Sequence, residues 1–314
     1  MTLAGIAALA IAGLALACPV ASHAGEFPSK PVRIIVPFPP GGGADALARI
    51  MQPSLTKMWG QPVIVENKPG ASGHIGADFV AASEADGYTL MMSSTASLTE
   101  KNVDRFAPVT LVSASPYVVV ASPKVPARNI RELIDYARKN PGKLTFGSSG
   151  TGAASHLSAE LFKSMAGVDM LHVPYKGTGQ AVTDLLAGQI DLMFAPAQTV
   201  MPYVDAGRLS ALAVTGPKRT SLLPDLPTVA ESGVPGYAAV GWFGLLAPAK
   251  TPPAIVAKLS ADANKALADN DVKLKLQIVG AEPSGDTPQE FARFIREDQA
   301  KWSKLMKERG IEAQ

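Results

Sequence analysis

From Glu26 onward, short apolar runs alternate with stretches of helical periodicity, and no other feature of the chain limits its fold so tightly. The runs lie at 32–36, 62–65, 88–92, 109–112, 117–120, 143–146, 170–173, 190–194 and 209–214. Helical patterns fill many of the gaps, near 44–59, 73–83, 128–139, 153–166, 178–187 and 198–206. A strand, a covering helix and a further strand return the chain in parallel. The alternation therefore predicts an α/β fold of mainly parallel sheets flanked by helices. In the first helical pattern Leu47, Ile50, Met51, Leu55 and Met58 recur at helical spacing. Pro53 falls inside it, which predicts a kink or a division. Near residue 242 the pattern changes and becomes mostly helical. There Thr287, with Pro288 after it and Glu290 three residues on, predicts a capped helix start, and Gly310 its stop.

The 314 residues leave room for two domains, and a net charge of +2 gives no electrostatic case for nucleic acid. Residues 1–24 read as a signal peptide. Residues 3–17 are apolar and uncharged, and Ser22 and Ala24 supply the small-x-small spacing for a cut after Ala24. As a membrane anchor the run is short of the roughly 20 residues a span needs. Cys18 is the only cysteine and lies in this leader. Pro19 directly after it fits lipidation poorly. The exported chain is thus expected to lack disulfides, thiolate nucleophiles and cysteine-bound metal and to reside in the periplasm. A monomer is expected by default, because nothing in the sequence marks an association face.

Ligands of open parallel sheets bind beyond the carboxyl ends of the strands. The tips that follow the apolar runs read PPGGGAD, NKPGASGH, SSTAS, GSSGTGAASH, PYKGTG and APAQ. They are rich in Gly, Ser, Thr and Ala and poor in acids and bases. Such tips expose backbone N–H groups and hydroxyls, which suits an anion. Gly177 and Thr178 in the fifth tip are candidate donors, as are the N–H groups from Ser149 to Gly152 in the fourth. Gly41, Gly43 and Ala46 also satisfy the dinucleotide fingerprint, with Glu66 placed as the ribose acid. Against that, Pro37, Pro39 and Pro40 draw the chain away from the tight turn it requires. A nucleophile elbow fails because Thr151 stands where it needs glycine. Ser148 or Ser149 with His156 suggests a nucleophile–base pair, but no third member is apparent, and small hydroxyls before a helix read rather as caps or ligand contacts. The histidines beyond the leader, His74, His156 and His172, show no metal-binding spacing. His172 falls within an apolar run and reads as structural. Trp242 and Phe243 read as core packing or, alternatively, as cleft lining. No catalytic residue, cofactor or metal is expected.

Several blocks in one order then resemble a known family: PVRIIVPFPPGGGADALAR, GQPVIVENKPGASGHIGADFVA, DGYTL, YKGTGQAVTDLLAGQIDLMF, RLSALAVTGPKR and LPDLPTVAESGVPGY…WFGLLAPAKTP. The chain is similar, from Pro28 to about Lys307, to the Bug receptors, the extracytoplasmic solute-binding proteins of tripartite tricarboxylate transporters. The resemblance implies a two-domain periplasmic-binding-protein (Venus-flytrap) fold with two interdomain crossings. Domain 1 would comprise 26–121 plus 242–314, and domain 2 would comprise 122–241. It implies capture of a small organic acid, a di- or tricarboxylate or an aromatic carboxylate, in the cleft for a membrane transporter. A sensing adaptor or a periplasmic enzyme on the same fold are the alternatives. Ligand contacts are implied at Pro40, Gly41, Gly42, Gly43 and Gly73 of one lobe and at Ser148, Ser149, Gly152 and Ala195 of the other. Ser94 and Thr95 are further candidates. His74 stands where members of the family often have Asn, which leaves room for a larger, aromatic or differently charged acid.

Overall fold

The computed structural model describes residues 27–311 with the exception of Lys176. The leader and its expected cleavage site lie outside the described residues. In chain order the first elements are β1 (Val32–Val36), α1 (Gly43–Trp59), β2 (Val63–Asn67), α2 (His74–Ala81), β3 (Thr89–Ser94) and β4 (Phe106–Ala121). There follow α3 (Ile130–Lys139), β5 (Thr145–Ser148), α4 (Ala154–Ala166), β6 (Leu171–Pro174), α5 (Thr178–Leu186), β7 (Leu192–Pro196), α6 (Ala197–Asp205) and β8 (Ser210–Val214). The chain ends with β9 (Val240–Pro248), α7 (Pro253–Ala268), α8 (Asn270–Ile278) and α9 (Pro288–Arg309).

The strands follow one path, β2-β1-β3-β9-β4-β7-β5-β6, with β8 added to β4. Both ends of the path are parallel: β1 pairs with β2 and β3, and β5 with β6 and β7. In β1 only Arg33 is exposed, as a strand covered on both faces requires. The middle is antiparallel. The first part of β4 pairs with β9, and its last residues, from Tyr117, pair with β7 and β8. Each parallel end has its own core. Ile34, Leu47, Met51 and Leu90 belong to one, and Phe146, Leu157, Phe162 and Phe194 to the other. The molecule is therefore two-lobed, and β4 and β9 carry the chain across.

Of the two outcomes expected at Pro53, division is excluded: α1 runs unbroken through it. Arg49 and Pro53 both lie on the exposed face, so the carbonyl that proline leaves unbonded meets water. The runs at 109–112 and 117–120 form one strand. β4 absorbs its irregularities as register shifts after Pro108 and Leu111 and passes through Pro116, which faces Val240 at the very end of the β9 ladder. A missing N–H costs little there.

The helix predicted from Thr287 forms with its reciprocal cap: the Thr287 side chain accepts from the Glu290 N–H, and the Glu290 carboxylate accepts from the Thr287 N–H. α9 then touches both lobes. Phe291 and Ile295 pack with Leu111, Trp242 and Leu246 beside the first sheet, while Trp302 and Leu305 belong to the core of the second. Asp298 sits between them and accepts indole N–H bonds from Trp242 at 2.8 Å and Trp302 at 2.7 Å. Farther along, Arg309 donates to Glu160 of α4 at 3.0 Å. Among the described residues no helix is long and apolar enough to cross a membrane.

Candidate functional site

The β1–α1 turn is built on an internal brace. One Asp45 oxygen accepts from the Gly41 N–H at 3.0 Å; the other accepts from Arg49 at 3.0 Å and from Asn67 at 2.9 Å. The Asn67 amide also donates to the Phe38 carbonyl at 3.1 Å, which ties β2 to the turn. Burial would raise the Asp45 pKa, but the bonds from Arg49, Gly41 and Asn67 outweigh it and hold the carboxyl below its ordinary range. A depressed folded-state pKa adds stability above the unfolded value and loses it as pH falls through the folded one, so the brace is intact at neutral pH. Asp45→Ala is expected to cost about 2 kcal/mol of unfolding free energy, because it strands a backbone N–H and a side-chain amide. Denaturant unfolding measures this, and a loss under about 0.5 kcal/mol would mean that something else holds the turn.

The brace leaves the helix start open. Gly42 is the N-cap of α1 and has no side chain to cover the first-turn N–H groups. Pro40, Gly41 and Gly42 are exposed, and Gly43 is half-buried with the Phe243 ring beside it. Phe243 thus adjoins the turn, whereas Trp242 is core. Gly73 has φ +97° and is hemmed in: a Cβ there would lie 2.8 Å from Ser97 and 3.2 Å from Phe38. The tips of β1, β2 and β3 therefore meet, and the half-buried His74 opens α2 directly beside them. Ser94 bonds Ser97 through its N–H at 3.2 Å. Thr95 donates to Asp298 at 3.4 Å, toward the junction of the lobes. Glu66, the candidate ribose acid, pairs instead with Lys68 at 2.7 Å.

In the second lobe the turn between β5 and α4 is more self-contained than its sequence suggests. The Ser149 N–H donates to Ser155 at 3.1 Å, the Gly150 N–H to the Ser148 hydroxyl at 3.2 Å, and the Gly152 N–H to His156 Nδ1 at 3.1 Å. The N–H groups of Ser149, Gly150 and Gly152 are therefore engaged within the turn, contrary to the sequence expectation of free donors. The helix is capped by Ala153, which offers no side-chain oxygen, so its open first-turn N–H groups belong to Ala154, Ser155 and His156. The serine–histidine pairing also differs: Ser148 Oγ lies 2.6 Å from His172 Nε2, not beside His156. Ser148 is fully buried. Gly177 caps α5, and the preceding Tyr175 N–H bonds the Ser148 carbonyl at 3.1 Å, which places these two tips side by side. Ala195 is fully buried within β7 opposite Val118, and the open helix start there is one step later, at Pro196–Ala197.

Two surface hollows lie elsewhere, one lined by Met306 and Ile311, the other by Arg33, Phe79 and Tyr88, and neither contains a candidate site residue. Among the described residues no three acidic, histidine or cysteine side chains are placed to hold a metal.

Residues 47–311, most of the chain, match the family described as tripartite tricarboxylate transporter family receptor. Protein BugT of Bordetella pertussis is 36% identical over 311 residues, which span 96% of this chain and 95% of that protein. The solved structure of R. palustris Rpa4515 with adipate is 36% identical with a TM-score of 0.81, covering 91% of this chain and 99% of that one. MatC from Rhodopseudomonas palustris with bound malate is 32% identical with a TM-score of 0.77, covering 89% and 99%.

Proposed function

The chain belongs to the tripartite tricarboxylate transporter receptor family, and we propose that it is a periplasmic receptor that takes a small organic acid between its lobes and presents it to the membrane components of such a transporter. Its fold is the two-domain Venus-flytrap fold of periplasmic binding proteins. One observation carries the reading: α1 and α4 begin, one in each lobe, at caps without side-chain oxygens, directly after the carboxyl ends of parallel strands. Their first-turn N–H groups and dipoles favour a carboxylate at each. The acids bound by Rpa4515 and MatC, adipate and malate, support the same class.

On this reading Pro40 to Gly43, Gly73 and His74 serve one lobe, and the 148–156 turn with Gly177 serves the other. The lobes are residues 26–121 with 242–314, and residues 122–241, save that the end of β4 from Tyr117 and the last turns of α9 pack with the second lobe; they turn about β4 and β9. An acid that bridges both stabilises the closed state selectively. Cleavage after Ala24 would release the chain to the periplasm. Binding without chemistry is favoured because the Ser148 hydroxyl is buried and already engaged by His172 and Gly150.

Thermal-shift screening with adipate, malate, citrate and benzoate tests the proposal. At least one should raise the melting temperature and be recovered unchanged; at one hundred times Kd the gain is about 2.7 kcal/mol. Turnover of the compound, or no shift with any of the four, overturns it.

A further inference from the structure

Two imidazoles lie face to face behind the second-lobe turn. His172 stands on β6 in register with Phe146 of β5, and the two rings stack at 4.9 Å. His156, the third residue of α4, stacks against His172 with centroids 3.8 Å apart and planes 16° from parallel, and its ring centre lies 6.1 Å from that of Phe146. Each ring has its own grip on the turn. His172 Nε2 meets the Ser148 hydroxyl at 2.6 Å, and that hydroxyl receives the Gly150 N–H. His156 Nδ1 accepts the Gly152 N–H at 3.1 Å. The turn is thus held at both ends by one stacked pair.

We propose that His156 and His172 are positioning residues for ligand capture, a neutral stacked pair that fixes the 148–152 turn and with it the open first turn of α4. This rests on the reading of that turn as part of the acid site. An Nδ1 that accepts an N–H carries no proton, so His156 is the Nε2–H tautomer. Protonation would set donor against donor at Gly152. At His172 it would leave Nε2 able only to donate, with the serine proton directed to the Gly150 carbonyl that it reaches at 3.1 Å. It would also place positive charge on a ring stacked at 3.8 Å against the other imidazole.

The charged groups around the pair act in both directions. Glu160 and Lys163 of α4 form a buried ion pair at 2.7 Å, Arg309 of α9 reaches Glu160 at 3.0 Å, and Lys163 Nζ sits 5.5 Å over the Phe146 ring. Glu160 favours an imidazolium, and Lys163 opposes it. Burial is the largest influence on both rings. It lowers the His156 pKa and, with His156 alongside, pushes His172 down to about 4. An unfolded imidazole takes its proton near pH 6.5. The pair therefore contributes stability above that pH, and the contribution declines as pH falls toward the folded values.

The test uses the full chain and four variants. His156→Leu and His172→Leu remove the ring partners of Gly152 and Ser148. His156→Asn keeps an acceptor at the Nδ1 position, and His172→Gln keeps a polar partner at the Nε2 position. At pH 7.5 the leucine variants should bind adipate, or whichever acid gives the largest thermal shift, about tenfold more weakly. The asparagine and glutamine variants should recover to within about threefold of wild type. Without ligand, amide exchange at Gly150 should quicken in His172→Leu and at Gly152 in His156→Leu, and slow again in the conservative variants. Ring NMR should show His172 still neutral where an exposed histidine has titrated. Equal affinity in wild type and leucine variants overturns the positioning role and leaves the receptor reading standing. Absence of any acid binding by wild type refutes the receptor reading instead. Unchanged exchange at both glycines, or rings that titrate near pH 6.5, overturns the positioning role by itself.

Discussion

Phe291→Ala should lower the unfolding free energy by about 3–5 kcal/mol, the range for emptying an aromatic site in a packed core. Phe291 is fully buried and reaches from α9 onto the first sheet. Its ring occupies the space left by Gly244: a Cβ on that glycine would lie 2.1 Å from the ring edge. Trp242 meets the same ring edge-to-face at 5.7 Å. Neither neighbour can collapse into the vacancy, because Gly244 has no side chain and Trp242 is fixed by its bond to Asp298. The cavity term therefore adds to the lost transfer energy. Guanidinium unfolding is the measurement. A loss below about 1 kcal/mol would show that α9 owes little of its place to this contact.

Gly42→Val should leave the fold in place and weaken acid binding about 10- to 100-fold, the equivalent of losing one charge-assisted hydrogen bond. The backbone at Gly42 is extended, with φ −81° and ψ 172°, a region valine prefers. A Cβ there meets nothing closer than the Pro39 carbonyl at 3.6 Å. The structural cost is then that of a poorer N-cap, about 1 kcal/mol. The branched side chain nevertheless projects at the mouth of the α1 start, where a carboxylate would have to approach the N–H groups. Calorimetry with the acid chosen by thermal shift decides it. Unchanged affinity would remove the 40–43 turn from the site.

The alternation of strand and helix was legible because each period is set by a few adjacent residues. Thr287, Pro288 and Glu290 announce a helix start for the same reason. What the sequence hid depends on partners far along the chain. Nothing near Ser148 reveals that its hydroxyl belongs to His172, or that Gly152 is claimed by His156. The turn therefore reads as a row of free donors when most are occupied. Pro116 and its neighbouring serines look like a strand end, because register against β9 decides what a proline costs there. The α9 stripe, Phe291, Ile295, Asp298, Trp302 and Leu305, did carry a signal: an acid within an apolar face, beside a tryptophan. Periodicity says which side of a helix is covered, not that two different bodies share the covering.

That sharing bears on how the receptor shuts. A flytrap hung on two strands alone would swing with little resistance. Here a single rod is bolted to both jaws, by Phe291 at one end and by Trp302 and Arg309 toward the other, with the Asp298 carboxylate as the pin between. The stiffness of the swing would thereby be set by α9, so the ease of closure would be adjustable at Phe291, Trp302 and Arg309, none of which is a candidate ligand contact.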